Sequence, residues 1–239
     1  MLQNGRVGVV IPAAGRGVRM GPRGPKQFFD LDGKPIVAWT IEHFQNCPEV
    51  DSIVLVVGKD QIGEMRKIVT QYRFSKVLAV AEGGIRRQDS VRNGLRLLEG
   101  LSVETVIVHD AVRPFIDVKI VQDVLAALSR ADAALIAIPV TDTIKISGAG
   151  GLVQSTPPRD ELWIAQTPQA FRYADLRGAF ERSDADGFTG TDEASLVERT
   201  GKTVAIVPGA YENIKITTPE DYELAKLIAT RKRSSAHTS

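Results

Sequence analysis

Four cations in a glycine-rich stretch near the N-terminus are the residues of this chain best suited to chemistry. Arg16, Arg19, Arg23 and Lys26 lie among glycines and prolines, directly after the apolar run Val7–Ile11. Glycine lets backbone N–H groups approach phosphate oxygens, and arginine and lysine balance the negative charge. A buried strand that ends in such a loop predicts an anion site. The alternative, a solvated basic connector, does not explain why strand, glycines and cations coincide.

Two familiar phosphate-binding motifs do not fit this stretch. A Walker A loop ends in Gly-Lys-Ser/Thr, but the pair Gly33-Lys34 is followed by Pro35, and Gly201-Lys202 follows a helical pattern. The dinucleotide fingerprint Gly-x-Gly-x-x-Gly begins at Gly15, but its third glycine position is occupied by Met20.

A second glycine pair, Gly83-Gly84, follows another predicted strand and leads into a helix near Ser90. Ligands of open α/β sheets collect where strands end, so we expect this loop to share a pocket with the first. The alternative is a turn with a helix cap formed by Asp89 or Ser90.

A third candidate group follows the strand Thr105–His109. Asp110 could hold Mg²⁺ or a ribose hydroxyl, and Arg113 could reach a phosphate. The alternative is a salt bridge between Asp110 and Arg113 that stiffens the turn. We expect His109 to be packed in the interior rather than catalytic.

The elements that position these residues alternate along the chain. Besides Val7–Ile11 and Thr105–His109, the predicted strands are Ser52–Val57, Lys76–Ala81, Ala133–Pro139, Thr203–Val207 and Asn213–Thr217. Helical patterns cover Ile36–Phe44, Asp60–Val69, a stretch from Val91, Asp117–Ser129, Leu176–Phe180, and stretches that begin at Thr191 and Thr218. This alternation predicts right-handed crossovers and a Rossmann-like, three-layer α/β/α fold with a mostly parallel central sheet.

One segment breaks the alternation of strands and helices. Val140–Ser147 alternates apolar and polar residues, and after several glycines Leu152–Thr156 does the same, which predicts a β-hairpin. An extended hairpin is unstable alone, so we expect it to project as an arm, at about residues 140–160, that packs on a second copy of the chain. The alternative is a hairpin that folds back on its own domain.

The composition is that of a water-soluble globular protein. The 239 residues are 43% hydrophobic and 25% charged, and the net charge of +1 gives no reason to expect a nucleic-acid partner. The lone cysteine, Cys47, is predicted to be buried. No apolar run approaches the ~20 residues of a membrane span, and the first strand begins too early for a signal peptide. We expect a cytoplasmic protein with one domain over residues 1–230 and a disordered tail over 231–239.

Seven motifs together resemble one family. The first stretch reads AAGRGVRM followed by PKQ, as in nucleotidyltransferases that join an NTP to a phosphate. In order there follow GGIRRQDSV, HDAVRP, DTIK, LWIAQTPQAF, TDEA and NIKIT. The series resembles the 2-C-methyl-D-erythritol 4-phosphate cytidylyltransferases of the non-mevalonate isoprenoid pathway. This resemblance implies a CTP- and Mg²⁺-dependent homodimer in which each arm completes the neighbouring active site.

The resemblance also implies roles for individual residues. The expected CTP-binding residues are Pro12, Ala13, Ala14, Gly15, Gly17, Gly84, Ser90, Asp110 and Ala111. The expected catalytic cations are Arg19, Lys26 and Lys215. The acceptor phosphate is expected to contact Arg113, Thr143, Arg159 and Thr191, with Thr143 and Arg159 supplied by the partner's arm. Asp110 is expected to contact Mg²⁺ weakly, because phosphates hold most of its coordination shell.

Three points stay open at the level of sequence. Capping alone could explain Thr191, which precedes a helix with acids in its first turn. Ile85 stands where many relatives carry a polar residue, so any contact with the base there must come from the backbone. The acceptor could instead be ribitol 5-phosphate, and the chain could also be a nucleotide-binding regulator without catalysis; retention of both Lys26 and Lys215 argues against the regulator.

Overall fold

The computed structural model describes residues 5–15, 17, 20 and 24–236, with only the backbone described for 235 and 236. The strands are β1 (Arg6–Ala13), β2 (Asp30–Leu31), β3 (Lys34–Pro35), β4 (Ser52–Val57), β5 (Val77–Glu82), β6 (Val103–Val108), β7 (Ala133–Pro139), β8 (Ile146–Ser147), β9 (Val153–Ser155), β10 (Trp163–Arg172) and β11 (Val204–Pro208). The α-helices are α1 (Ile36–Gln45), α2 (Ile62–Gln71), α3 (Arg87–Arg96), α4 (Val118–Ala126), α5 (Tyr173–Asp186), α6 (Glu193–Glu198) and α7 (Pro219–Ala236). None of these described helices is long and apolar enough to cross a membrane.

Seven strands form the central sheet in the order β11-β7-β10-β6-β1-β4-β5. All neighbouring pairs are parallel except those of β10, which runs antiparallel to β6 and β7 between them. The predicted α/β class with a mostly parallel sheet is therefore confirmed. The antiparallel strand is the segment that returns from the arm.

Helices cover both faces of the sheet because its central strands are apolar on both sides. On β1, Val9 and Ile11 face a cluster that includes side chains of α1, α2 and α4, whereas Val10 faces α3, α5 and α6. All three β1 residues are fully buried. Continuous apolar strands are the expected pattern for a sheet buried on both faces, and they produce the predicted three layers.

The C-terminal helix corrects the predicted disordered tail. α7 continues to Ala236, so residues 231–236 are helical, while 237–239 lie outside the described residues. Ala225, Ile228 and Ala229 are buried at helical spacing against Leu31 and Ile216. Basic residues at the end of α7 pair with acids elsewhere, as Lys232 does with Glu212 at 3.5 Å, and cations near a helix C-terminus favour the helix.

The predicted hairpin is shorter than its sequence pattern. Only Ile146–Ser147 and Val153–Ser155 pair as strands, and residues 140–145 are irregular. The two strands form a separate sheet, and their side chains are exposed. An isolated two-stranded hairpin is only marginally stable, because no third strand or helix packs against it, and a longer run of paired residues is not stabilised.

The segment Asn213–Thr217 is not a strand, contrary to the prediction. The Asn213 side chain donates hydrogen bonds to the Thr167 carbonyl and the Gln166 amide oxygen, and Ile216 N–H donates to the Val112 carbonyl. These bonds hold the segment across the loop that follows β6. The alternating pattern arises because Ile216 is buried in the core while Lys215 stays partly exposed and lines the cavities of the site.

Candidate functional site

The first cavity lies where β1 and β6 end, beside the loop that follows β5. Neighbouring parallel strands end at the same edge of a sheet, and β4 alone separates β1 from β5. The cavity is lined by Pro12, Ala13, Ala14, Gly15, Lys26, Gln27, Gly84, Ile85, Arg86, Arg87, Ser90, Asp110, Ala111, Val112 and Lys215. The two glycine loops and the acid after β6 therefore share one pocket, as the sequence predicted.

The second glycine loop is fixed from its own helix. Gly84 N–H donates a hydrogen bond to Ser90 Oγ at 3.1 Å, and Ser90 is buried. The sequence offered Asp89 as a helix cap, but Arg86 occupies the N-cap position of α3. The Asp89 carboxylate accepts a hydrogen bond from the backbone N–H of Arg86. Ile85 is fully exposed beside the cavity.

Lys26 is positioned by its neighbour in sequence. Gln27 is buried, and its amide donates hydrogen bonds to the Ala13 carbonyl at 2.6 Å and to Gln61 Oε1 at 2.8 Å. These bonds tie the short helical turn Lys26–Phe28 to the end of β1. Gly17, at φ 64°, lies against Lys26, and a β-carbon there would be 3.3 Å from Lys26 Cγ.

The other cations of the first loop cannot be placed. Arg16, Arg19 and Arg23 lie outside the described residues. The predicted catalytic role of Arg19 therefore stays a prediction.

Five ionisable side chains meet behind the first cavity, and we call them the Asp110 cluster. Asp110 Oδ1 accepts from Arg87 Nε at 3.0 Å, and Asp110 Oδ2 lies 2.9 Å from Lys215 Nζ and 3.5 Å from Arg113 Nε. Arg87 Nη1 donates to both carboxylate oxygens of Glu193 at 2.8 Å. The salt bridge between Asp110 and Arg113 thus exists, but within a larger network.

Burial and pairing set the protonation of this cluster. Burial alone would raise the pKa of Asp110, but Arg87, Lys215 and Arg113 together hold it well below its usual value. Burial would lower the pKa of Arg87, and the carboxylates of Glu193 and Asp110 raise it instead. Asp110 is therefore ionised at neutral pH.

The turn after β6 is held by a chain of hydrogen bonds. Asp110 N–H donates to Thr167 Oγ1 at 3.0 Å, and Thr167 in turn lies 3.1 Å from His109 Nδ1. His109 Nε2 lies 3.0 Å from the Arg113 carbonyl, which can only accept, so Nε2 carries the proton and Nδ1 accepts. Burial lowers the pKa of His109 to about 3, so the ring is neutral. His109 is packed, as predicted, and it orients the turn.

A second cavity adjoins the first. It is lined by Arg87, Asp110, Arg113, Ala165, Gln166, Thr167, Gln169, Thr191, Asp192 and Lys215. Arg87, Asp110 and Lys215 line both cavities. These three side chains therefore form the junction between them.

The predicted acceptor residues are only partly brought together. Arg113 and Thr191 line the second cavity, whereas Thr143 and Arg159 lie on the arm and line neither cavity. Arg159 Nη1 donates to the Thr141 carbonyl within the arm. Thr191 is not the cap of α6: Asp192 is, and its carboxylate accepts from Ser195 N–H at 3.0 Å.

No preformed metal site is present among the described residues, where no three His, Cys, Asp or Glu side chains are grouped to hold an ion. Asp110 is in the wall of the first cavity, and its oxygens already contact three cations. The donor set thus fits a divalent cation only if the ligand brings most of the coordinating oxygens.

The sequence patterns assign no role to Arg87 and Glu193. Arg87 stands in the second glycine motif, four residues after Gly83, and Glu193 is an acid in the first turn of a predicted helix. Glu193 is 1% exposed, and a carboxylate so deeply buried requires a partner. That partner, Arg87, is 106 residues away, and no local sequence pattern predicts a contact at such a separation.

Comparison with known proteins identifies relatives over nearly the whole chain. The family model described as IspD, 2-C-methyl-D-erythritol 4-phosphate cytidylyltransferase, matches residues 7–231. A protein of that name from Geobacter metallireducens is 47% identical over 226 residues, covering 93% of this chain and 97% of the relative. One from Geotalea uraniireducens is 48% identical over 223 residues, covering 92% and 95%.

Solved structures agree with these sequence matches. The chain superposes on 4-diphosphocytidyl-2C-methyl-D-erythritol synthase from Anaerococcus prevotii with a TM-score of 0.85 and 32% identity, over 95% of this chain and 96% of that one. The 2-C-methyl-D-erythritol 4-phosphate cytidylyltransferase of Thermus thermophilus gives a TM-score of 0.77 and 32% identity, over 94% and 99%.

Proposed function

Because the chain belongs to the 2-C-methyl-D-erythritol 4-phosphate cytidylyltransferase family, we propose that it transfers CMP from CTP to 2-C-methyl-D-erythritol 4-phosphate and releases pyrophosphate. One observation carries the proposal: Lys26 and Lys215 line the same cavity, together with residues of the two glycine-containing loops. The relatives do not favour ribitol 5-phosphate as acceptor or an inactive regulator.

CTP would occupy the first cavity. Of the predicted CTP-binding residues, all but Gly17 line it: Pro12–Gly15, Gly84, Ser90, Asp110 and Ala111. The β-carbon position of Gly15 is open, so the absence of a side chain there lets a ligand approach the backbone of the first loop. The loop with Ser90 would face the base, and Asp110 would lie near the ribose.

The reaction joins two anions, so it requires fixed positive charge rather than a general base. An oxygen of the acceptor phosphate attacks the α-phosphorus of CTP in line, and the bond from the α-phosphorus to the bridging oxygen breaks to release pyrophosphate. The acceptor phosphate is already ionised, so no proton needs to be removed. Lys26, Arg19 and Lys215 would stabilise the charge that develops on the phosphoryl oxygens.

The acceptor would occupy the second cavity. Lys215 and Arg87 line both cavities, so a phosphate in the second cavity would lie beside the α-phosphate of CTP at the junction. Arg113 and Thr191 line this cavity and would contact the acceptor. Thr143 and Arg159 would reach it from the arm of a second copy, since they do not line it in their own chain.

Mg²⁺ would enter with the nucleotide. Phosphate oxygens are preferred ligands of this ion, and Asp110 could supply at most a weak additional contact because it is already paired. When bound, such an ion would neutralise charge on the triphosphate. A homodimer built through the arm, a single domain over residues 1–230 and a cytoplasmic location remain predictions.

The proposal is tested by measuring pyrophosphate release with CTP and Mg²⁺. 2-C-methyl-D-erythritol 4-phosphate and ribitol 5-phosphate are supplied in parallel, with Lys26→Ala as the inactive control. We expect release with the first acceptor alone, and loss of release in the variant. Release with ribitol 5-phosphate alone would overturn the acceptor, and CTP binding without release would indicate a regulator.

A further inference from the structure

Among the described cations that contact Asp110, Arg87 is the one that the reaction scheme leaves without a role. Its guanidinium divides its donors between two carboxylates, with Nε on Asp110 and Nη1 on Glu193. Glu193 is 1% exposed, so its charge has little water to stabilise it and holds Arg87 in place. The side chain of Arg87 therefore has one preferred position, at the junction of the two cavities.

The two oxygens of Asp110 have different partners. Oδ1 accepts from Arg87, whereas Oδ2 faces Lys215 at 2.9 Å and Arg113 at 3.5 Å. Lys215 is the partner with the most freedom, because its side chain is 40% exposed, compared with 11% for Arg113. Cations that share one carboxylate also repel one another, so each is held there less strongly than a single partner would be.

From this arrangement we propose that Arg87, oriented by Glu193, is a positioning residue for Lys215. By occupying one oxygen of Asp110, Arg87 weakens the hold of Asp110 on Lys215 and leaves the Lys215 ammonium group available to a phosphate at the junction. The expected effect on kcat rests on the proposed function. The expected effect of Arg87 on the ion pair between Lys215 and Asp110 does not depend on the reaction.

The Arg87–Glu193 pair can be removed without a change in the net charge of the cluster. Three cations and two carboxylates give the Asp110 cluster a net charge of +1, and the pair itself is neutral. Replacing both residues in Arg87→Met/Glu193→Met also avoids leaving one buried charge unpaired, which would destabilise the fold. Any effect on Lys215 then reflects the lost contact to Asp110 Oδ1.

Arg92→Met is the matched control. Arg92 lies on the same helix, and its guanidinium also pairs with two carboxylates, those of Asp89 and Asp184. It lines neither cavity of the site. The control variant therefore also removes an arginine of α3 that bridges two carboxylates, but at a position away from the junction of the cavities.

The first measurement is the rate at which acetic anhydride acetylates Lys215 in the substrate-free protein, followed by mass spectrometry with exposed Lys67 as internal reference. An amine held in an ion pair reacts slowly. We expect at least a two-fold slower acetylation of Lys215 in Arg87→Met/Glu193→Met, unchanged acetylation in Arg92→Met, and recovery of the rate when Asp110→Asn is added to the double variant.

The second measurement is steady-state pyrophosphate release. We expect the double variant to lose about ten- to hundred-fold in kcat, the range found for residues that orient a reacting group, with the KM for CTP changed less than about three-fold. An unchanged acetylation rate, a rate that Asp110→Asn does not restore, or a kcat within two-fold of wild type would overturn the proposal. If wild-type protein releases no pyrophosphate, the proposed function fails, and the acetylation rates still decide whether Arg87 sets the state of Lys215.

Discussion

Gly83 lies directly against Ala14, so the two glycine-containing loops of the site touch each other. A β-carbon at Gly83 would be 2.6 Å from Ala14 Cβ and 2.8 Å from Ser90 Oγ. Both distances are shorter than real β-carbon contacts. The loop after β5 can therefore close on the loop after β1 only because position 83 has no side chain.

Gly83→Ala should separate the two loops. We expect a loss of about 1–3 kcal/mol in the free energy of unfolding, as for other overpacked sites, together with at least ten-fold weaker CTP binding. Urea unfolding and isothermal titration calorimetry measure the two effects. Gly63→Ala is the control: it lies on α2 with nothing near its β-carbon position, and alanine there should leave binding unchanged and raise stability slightly. Equal effects of the two substitutions would contradict the packing argument.

Lys26→Ala should remove one fixed cation from the first cavity. The expected loss is on the order of 3 kcal/mol in transition-state stabilisation, about what one preorganised donor contributes. In pyrophosphate release this corresponds to a fall in kcat/KM of roughly hundred-fold. Lys67→Ala, on the exposed face of α2, is the control and should retain full activity. Near-normal activity of Lys26→Ala would remove Lys26 from the mechanism.

His109 should make the fold less stable in mild acid. Its pKa is lowered to about 3 in the folded protein from an ordinary value of 6.5, so the unfolded chain takes up a proton that the folded protein refuses. Stability is therefore fully present above pH 6.5 and falls as the pH drops from 6.5 towards 3. The loss approaches on the order of 5 kcal/mol at the acid end.

The measurement is urea unfolding between pH 7 and 4.5 for wild type and His109→Asn. The variant should be less stable at pH 7 but should show a shallower dependence on pH in this window. Asp110 also destabilises the fold in acid, but at lower pH. Its pKa is lowered in the folded protein, so the unfolded chain takes up a proton first as the pH falls below the pKa of an unfolded aspartate. Identical slopes for the two proteins would show that His109 is not the titrating group.

The arm should supply Arg159 to the active site of a second copy. If so, Arg159→Ala and Lys215→Ala are each inactive as homodimers, but a mixed dimer has one site with both residues. Random exchange of subunits should restore about a quarter of wild-type activity, since half the dimers are mixed and half of their sites are intact.

Pyrophosphate release after mixing and re-equilibration measures this recovery. Mixing Lys26→Ala with Lys215→Ala is the control, because both residues line the first cavity of one chain and no mixed dimer has an intact site. No recovery in the test pair would place Arg159 in its own subunit's site, and recovery in the control would show that Lys26 and Lys215 act in sites of different subunits.

Local sequence patterns were enough to predict the sheet class and the glycine-containing loops of the site. Both loops follow apolar strands, and parallel strands bring their ends to one edge, so Ala13, Gly84 and Asp110 could be placed in one pocket from local patterns. Lys26 was also predictable, because Pro25-Lys26-Gln27 belongs to the same loop. These features depend on residue spacing within one segment.

Which distant charges meet depends on how the helices pack, and no local pattern contains that information. Arg87 and Glu193 are 106 residues apart, and their contact exists because α3 and α6 pack on the same face of the sheet. The pattern of residues 213–217 predicted a strand, yet the segment crosses the loop after β6 and brings Lys215 to Asp110. An alternating pattern shows only which side chains face the core. The backbone partners of a segment depend on how it packs against segments that are distant in the chain.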